Sequence, residues 1–420
     1  MEAAGPKAYL IFMQNLQKLF KQKSYKHFDS SFPPNKELVT KLENHQFIQT
    51  HSFWPFLHFN LKVSRFSAKV KKIKERELYY SSHIDSYIYQ FYNQRISQTY
   101  EAYLISKKLS NYPIAYRGLG KSNIHFARES FDFLRNNRNS LVLCFDIEKF
   151  FDRLDHSILK KNLQKVLNVS HLPSDVYSVF KSITKFSWTE RDEALKALGI
   201  KPKDLLNKER LCSAKEFRNQ IKARSLIHKN RNKFGIPQGT ALSALLSNIY
   251  MIEFDLQMSK FSAKLNGYYR RYSDDIILII PCSSQSKDYY NDFVKDQIAK
   301  LKLTISDSKT EIIQLKDGVS VSGKPIQYLG FIYADGEVRL RPKTITNYYR
   351  KLYKRIEIIK SVQLIKRNKK VFLKKFYSNY THLGKDNFIS YVKRAKNIFQ
   401  NDSLTKDTKY HWNKIYKRLK

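Results

Sequence analysis

The sequence predicts an α+β fold, and three observations carry that prediction. Helix-period segments dominate the first and last parts of the chain. Short continuous apolar runs, Leu141–Phe145 and Ile276–Ile280, stand between them. Each of those runs abuts a carboxylate: Asp146 closes the first, and Asp274 and Asp275 precede the second. A run of four to eight apolar residues bounded by polar ones reads as a buried strand, whereas spacing of three and four reads as a helix.

In chain order, residues 1–110 read as mostly helical, interrupted at Ser31–Asn35 by Pro33-Pro34. Ile84 to Leu109 keeps its apolar residues at helical spacing. The start Met1–Pro6 carries no assignment. Leu141–Phe145 is a buried strand, and Asp155-His156 opens a helix to about Leu167. Residues 185–232, polar and basic, read as an inserted helical element. A helix begins at Thr240. Leu242, Leu245, Leu246, Ile249 and Ile252 mark its buried side, and Ala241, Ser243, Ala244 and Ser247 mark a side small enough for close packing. Tyr268–Arg271 and Ile276–Ile280 are two strands of a hairpin that bends near Ser273-Asp274-Asp275. A helix is expected over 288–303 and a strand over Gln327–Tyr333. Beyond, Leu352, Ile356, Ile359 and Val362 at helical spacing predict a bundle.

Charge narrows the function. The 420 residues hold 77 Lys and Arg against 37 Asp and Glu, a formal net charge of +40. Such a surface repels itself unless a polyanion shares it, which points to nucleic acid. A membrane surface is the rival polyanion, but no run approaches the roughly 18 apolar residues a span needs, and no signal-peptide pattern opens the chain. The excess is uneven: residues 341–420 hold 23 Lys and Arg against 4 Asp and Glu, a net of +19. That stretch reads as a cradle for a nucleic-acid duplex, with a solvated helical face as the plain alternative. Interleaved aromatics (28 Tyr, 28 Phe and 3 Trp) suit base stacking. An A/T-rich coding sequence would inflate the same residues. Cys144, Cys212 and Cys282 lack metal-ligand spacing, and so few thiols fit a reducing cytoplasm.

An Asp-Asp pair is ordinarily a solvated turn or a helix start. Here a continuous apolar strand follows it directly. Two acids beside a buried strand meet mutual repulsion and desolvation, which raises a pKa unless a cation compensates. With Asp146 at its own strand end, the set meets what in-line phosphoryl transfer needs: a few rigid carboxylates holding two Mg²⁺ ions, with Mn²⁺ as a substitute.

Four ordered segments resemble the palm motifs of reverse transcriptases. Phe145-Asp146-Ile147-Glu148-Lys149-Phe150-Phe151-Asp152, ending in Asp155-His156, is similar to the first motif of bacterial and group II intron enzymes. Gly235-Ile236-Pro237-Gln238-Gly239-Thr240, with Ser243 and Asn248, is similar to the second. Tyr272-Ser273-Asp274-Asp275 is similar to the third. Ser308-Lys309-Thr310-Glu311 and Gln327-Tyr328-Leu329-Gly330-Phe331 are similar to the fourth and to the primer grip.

The resemblance implies a right-hand polymerase. Its parts would be an N-terminal helical region (1–59), fingers (60–140), a palm with an antiparallel sheet (141–335, with the 185–232 insertion) and a basic helical thumb or C-terminal region (336–420). It implies that Asp146, Asp274 and Asp275 hold the metals with the Ile147 carbonyl. Phe151 would sit under the sugar and exclude a 2′-hydroxyl, with plain core packing as the alternative. Gln238 and Gly239 would lie against the incoming nucleotide and template base, and Tyr328, Leu329 and Gly330 would grip the primer. Lys309 would serve the pyrophosphate, or be an exposed structural Lys. Ala115–Asn123 resembles the finger segment that grips the triphosphate through Arg117 and Lys121; a surface turn is the alternative, and the pattern is not a Walker loop.

The implied activity is RNA-directed DNA polymerisation, with dNTPs as substrates, an RNA template and a DNA product. The finger segment, the insertion and the basic tail resemble the defence-associated bacterial enzymes, with retron enzymes as neighbours. That resemblance implies a structured non-coding RNA as template. Template-independent or protein-primed synthesis on the same fold is the alternative, and a non-enzymatic RNA-binding scaffold is a further one. Oligomeric state stays open.

Overall fold

The structure is a computed structural model that describes residues 19–67, 70–365 and 373–419, with the backbone alone over 62–74 and at 363 and 365. Met1–Pro6 lies outside the described residues. The chain forms two compact units, each drawn from several stretches. The first holds Met1–Arg117, Ile147–Gln257 and Lys295–Ile305; the second holds Gly118–Asp146, Met258–Val294 and Ser306–Lys420.

In the first unit, the expectation of a mostly helical start needs correction. Phe56–Ser67 and Val70–Tyr80 are strands of one antiparallel hairpin, in register from Leu57↔Tyr80 to Ser67↔Val70. Alternation explains it: Phe59, Leu61 and Val63 alternate with His58, Asn60 and Lys62, which is period two. The inserted stretch is also mixed rather than helical. Ser187–Glu190 pairs parallel to the first three residues of the hairpin and antiparallel to His228–Lys229, completing a four-stranded sheet. Between those strands run the Arg191–Ala197 helix and a short π-helix, Phe217–Lys222. Phe28, Leu57, Leu195, Leu211 and Ile221 pack a core there.

The Ile84–Leu109 expectation holds as a helix over His83–Ser106, started by Ser82, whose side chain accepts from the Asp85 N–H. Asp155 caps His156–Leu167 in the same way. Thr240 caps Ala241–Tyr250, whose Leu242, Leu245, Leu246 and Ile249 are buried, as are Ser243 and Ser247.

The second unit carries a five-stranded antiparallel sheet, in the order Tyr268–Tyr272, Asp275–Pro281, Ser140–Asp146, Glu311–Lys316 and Val319–Ser320. Val142, Ile277, Ile279 and Ile313 bury one face of it against Ala127, Phe131 and Leu134 of the Asn123–Asn136 helix. The expected strand Gln327–Tyr333 is instead a hairpin: Ile326–Tyr328 turns through Leu329 and Gly330 into Phe331–Ala334, which pairs onward with Glu337–Leu340. Both turn residues have positive φ, 46° and 93°, the backbone a tight two-residue turn demands. The helix expected over 288–303 spans Lys287–Lys300. The Pro342–Ile365 helix buries Leu352, Ile356 and Ile359 against Phe376, Ile389 and Ile415. Among the described residues no helix is long and apolar enough to cross a membrane.

Candidate active site

Strand pairing brings the acids together. Asp146 is the last residue of Ser140–Asp146, and Asp275 lies directly opposite it in the adjacent strand. Directly opposed residues in a sheet have Cβ atoms about 5 Å apart. Asp275 also pairs with Tyr272, so Ser273 and Asp274 form a two-residue turn, with Ser273 at φ 62°. A left-handed non-glycine residue costs about 1 kcal/mol. The Arg271 guanidinium donates to the Ser273 carbonyl at 3.2 Å and holds the turn from beneath.

The electrostatics follow from that geometry. Burial pushes the Asp275 carboxyl up to about 6, and the charges of Asp274 and Asp146 add to the push, while Lys309 and Arg341 oppose it. Asp274 is raised as well, by burial first and by Asp146 next, against its own backbone N–H and Lys309. Lys309, in the Asp307–Lys309 turn, forms an ion pair with Asp146. The Ser306 N–H donates to the Asp146 carbonyl at 2.8 Å and ties that turn to the strand end. Asp146, Asp274, Asp275 and Lys309 thus form one cluster in which three negative charges meet one ammonium.

Such a cluster fits a hard divalent cation. Among the described residues no group of three or more His, Cys, Asp and Glu side chains is placed to hold a metal ion by itself. Mg²⁺ does not need one, because it takes one or two carboxylates and completes its shell with water and phosphate oxygens.

Three residues of this neighbourhood carry no assigned role from sequence, although Glu311 and Asn123 stand within the segments quoted for the fourth motif and the fingers. Glu311 lies opposite Cys144 in the sheet, and burial raises its carboxyl against the pull of Arg341. Arg341 lies near both Asp275 and Glu311, and its backbone N–H donates to the Gly330 carbonyl at 3.1 Å. In so basic a tail, nothing in the sequence marks Arg341 out. Asn123 is a third: its side-chain amide donates to the Leu329 carbonyl and the Tyr391 hydroxyl, both at 3.0 Å, and so fixes the Tyr328–Gly330 turn.

Ile147, Phe151, Gln238, Gly239 and Arg117 sit in the first unit. Ile147 is buried and bridges Ile305. Phe151 is half-buried beside the Phe150 ring, 5.6 Å between centroids, in the short Phe150–Arg153 helix. Its carbonyl accepts from the Ile236 N–H at 2.9 Å, and the Leu154 carbonyl accepts from Gly235 at 2.9 Å. The first and second motifs are therefore bonded through their backbones. The Gln238 carbonyl accepts from the Tyr79 N–H at 3.0 Å. Gly239 has φ 138°, and a Cβ on it would lie 2.3 Å from the Tyr79 carbonyl oxygen, so only glycine fits.

Arg117 departs from the expectation. Its side chain is 2% exposed and holds Glu101 through two bonds of 2.7 and 2.5 Å. It also donates to the carbonyls of Ser110 and Pro113 at 2.6 and 2.7 Å. A guanidinium spent on one carboxylate and two carbonyls fastens its own loop instead of presenting a fork to phosphate. Lys121, in the second unit, is exposed and pairs with Glu129 at 2.6 Å.

Residues 101–333 match the family model of the reverse transcriptase (RNA-dependent DNA polymerase). Among solved structures, the chain resembles telomerase from Candida albicans in complex with a TWJ fragment of telomeric RNA, with 12% identity, 99% of this chain and 76% of that one covered, and a TM-score of 0.42. It also resembles apo telomerase from Candida tropicalis, with 14% identity, 98% and 70% covered, and a TM-score of 0.40. Likeness at that level adds nothing to the assignment, which stands on the family match over more than half of the chain. The chain belongs to the reverse transcriptase family: it is an RNA-directed DNA polymerase with a right-hand polymerase fold.

Proposed function

We propose that this polymerase works by two-metal phosphoryl transfer at Asp146, Asp274 and Asp275, on a dedicated structured non-coding RNA. The observation that carries the site is the opposed pair Asp146↔Asp275 with Asp274 in the adjoining turn. Burial and mutual repulsion hold the Asp274 and Asp275 carboxyls above their ordinary range, an environment that favours a cation beside them. The three carboxylates, with the Ile147 carbonyl, would hold Mg²⁺, or Mn²⁺ in its place. When bound, the ions supply positive charge to the attacking and leaving oxygens.

This chain's own residues do the rest. Phe151 excludes a 2′-hydroxyl by bulk. Gln238 and Gly239 offer their backbone to the base pair, in a loop fixed by its close packing on the Tyr79 strand. Tyr328, Leu329 and Gly330, anchored by Asn123, hold the primer end. Lys309, held now on Asp146, brings an ammonium to the pyrophosphate. Lys121 serves the triphosphate in place of Arg117; a surface ion pair such as its own with Glu129 is worth under about 1 kcal/mol and is readily exchanged for phosphate. Fingers over 60–140, a palm over 141–335 and a basic thumb over 336–420 are the corresponding division of labour.

The test is primer extension on an RNA template with dNTPs and Mg²⁺. Wild type incorporates; the double variant Asp274→Ala/Asp275→Ala loses at least about a thousandfold, since it removes two of three charges that act on the transition state. Equal incorporation by both proteins would overturn the site.

The +19 excess over residues 341–420 supports a structured RNA partner, because it exceeds what a short template–primer duplex neutralises. The resemblance of the finger segment and the insertion to defence-associated enzymes supports a role against phage. Sequencing the RNA bound to the purified protein, and plating phage on cells with and without the catalytic acids, test these two readings.

A further inference from the structure

A cavity of about 340 Å³ lies in the first unit, and none of the residues assigned above to metal, nucleotide or primer lines it. Its volume stands at the low end of the roughly 300–1,000 Å³ that small-ligand pockets span. Phe53, Trp54, Phe56 and Phe186 give it an aromatic wall. Neighbouring rings fix that wall. The Tyr89 ring stacks with Phe53 and Phe56 at 5.8 and 6.0 Å between centroids, and the Tyr79 ring meets Phe186 edge-on at 5.2 Å. Phe56 and Phe186 are buried, whereas Phe53 and Trp54 are half-buried and keep ring surface open.

Much of the remaining lining is one polar helix face. Ser178, Lys181, Ser182 and Lys185 recur at three and four residues along the Ser174–Thr184 helix and its cap. The Ser182 hydroxyl lies 3.1 Å from that of Tyr89, and Ser178 donates to the Gln49 carbonyl at 3.3 Å, so both hydroxyls are held in place. Lys185 donates to the Asn232 carbonyl at 2.9 Å and keeps further N–H groups to give. Lys181 has no carboxylate partner among the described residues. Lysines in a last turn also offset the helix dipole, but that role needs no cavity beside them. His51 lines the same space. Its Nε2 is 2.7 Å from the Asp85 carboxylate, and a neutral ring donating there keeps Nδ1 as an acceptor.

These groups select a ligand that carries both a flat ring and a phosphate. An apolar peptide or a lipid tail would cover the lysines and His51 without giving them partners. Inorganic phosphate would leave the rings uncovered. A nucleic-acid strand would bring phosphates on both sides of each base, whereas the two lysines of the lining stand on one helix face. We propose that the cavity binds one free nucleoside phosphate, at a site separate from the catalytic acids. The base lies on Phe53 and Trp54, the phosphate meets Lys181 and Lys185, and His51 Nδ1 accepts from a ribose hydroxyl. This site does not depend on the polymerase reading above.

The experiment titrates the full chain with ATP, GTP, CTP and UTP in turn, in EDTA, and follows tryptophan fluorescence. At least one of the four should quench it with one ligand per chain and a Kd below about 1 mM. In Trp54→Phe most of that quench should be gone, while calorimetry still registers the bound ligand. Lys181→Gln alters an exposed side chain and leaves the fold intact; it should weaken binding about tenfold, the effect of one lost charge-assisted hydrogen bond. Lys196→Gln, exposed and outside the lining, should bind as wild type does. Asp274→Ala should do the same, since its carboxyl takes no part here. No quench by any of the four overturns the proposal, as does inorganic tripolyphosphate binding as tightly as the best nucleotide. Equal weakening in Lys181→Gln and Lys196→Gln overturns it by showing only the general pull of a chain of net charge +40. Lost binding in Asp274→Ala overturns it by assigning the nucleotide to the catalytic acids. A single-stranded RNA that quenches Trp54 where no free nucleotide does overturns it by showing a polymer as occupant.

Discussion

Replacing Asp275 by Asn should stabilise the metal-free protein while crippling it as a polymerase. The side chain keeps its shape and loses its charge. In the folded chain burial, helped by Asp274 and Asp146, lifts the Asp275 carboxyl from 3.8 to about 6. Below its unfolded value the group is protonated in both states and contributes nothing. As pH climbs from about 4 to about 6, the unfolded chain releases the proton and the folded chain retains it, so stability falls across that window. Above it the loss is complete. At about 1.4 kcal/mol for each tenfold change in proton affinity, the ceiling is about 3 kcal/mol. Although its carboxyl is desolvated, Asp275 as a whole residue keeps access to solvent, which screens its field and reduces the figure to about 1 kcal/mol. For a chain of this size that corresponds to about 2 °C in the unfolding midpoint. Thermal unfolding in EDTA should therefore show the Asn variant about 2 °C above wild type near neutral pH, and the gap should close at about pH 4. Added Mg²⁺ should raise wild type and leave the variant nearly unmoved. A variant less stable than wild type in EDTA near neutral pH would refute the idea that these carboxylates repel one another in the folded state.

Three further outcomes follow from single positions. Phe151→Ala should relax discrimination against ribonucleotides by about tenfold or more in the ratio of kcat/KM values; an unchanged ratio returns Phe151 to plain packing. Gly239→Ala forces a Cβ to within 2.3 Å of the Tyr79 carbonyl oxygen and should destabilise by about 2 kcal/mol or more in urea; wild-type stability would mean that the Tyr79 strand yields. Asn123→Ala frees the Leu329 carbonyl, held at 3.0 Å, and should raise KM for primer well above any change in KM for dNTP. Equal effects on both would show that the turn does not hold the primer.

The elements that sequence revealed are those whose period decides the matter. Leu141–Phe145 and Ile276–Ile280 are unbroken apolar runs because both faces of their strands are covered, and they pair directly. The His83–Ser106 helix is legible from its spacing and from Ser82 at its start. The Phe56–Tyr80 hairpin was missed because its cationic residues mask the alternation: beyond Asn60 it pairs only with itself, so one face need not be apolar. The Leu329–Gly330 turn was missed for a different reason. A two-residue turn that places Leu at φ 46° breaks the residue preference by which such turns are recognised, and Asn123 and Tyr391, distant in sequence, hold the surrounding structure.

The acids singled out from sequence stand together in the sheet, while among the singled-out cations Lys309 joins them and Arg117 does not, and the difference is physical. A carboxylate beside a buried strand is costly anywhere, so its presence already implies a compensating function. In a chain of net charge +40 a lysine or arginine implies nothing by itself. Its partner decides the role, and partners are a matter of tertiary structure. Arg117, beside two glycines in a segment suited to phosphate, spends its guanidinium on Glu101 and two carbonyls. Lys309, as ordinary by sequence, meets the carboxylate of Asp146. Arg341, one cation among many in the tail, comes near Asp275 and ties its backbone to the Gly330 turn. The same argument predicts that in other strongly basic polymerases acids beside buried strands stand out from sequence more readily than the cations that meet them.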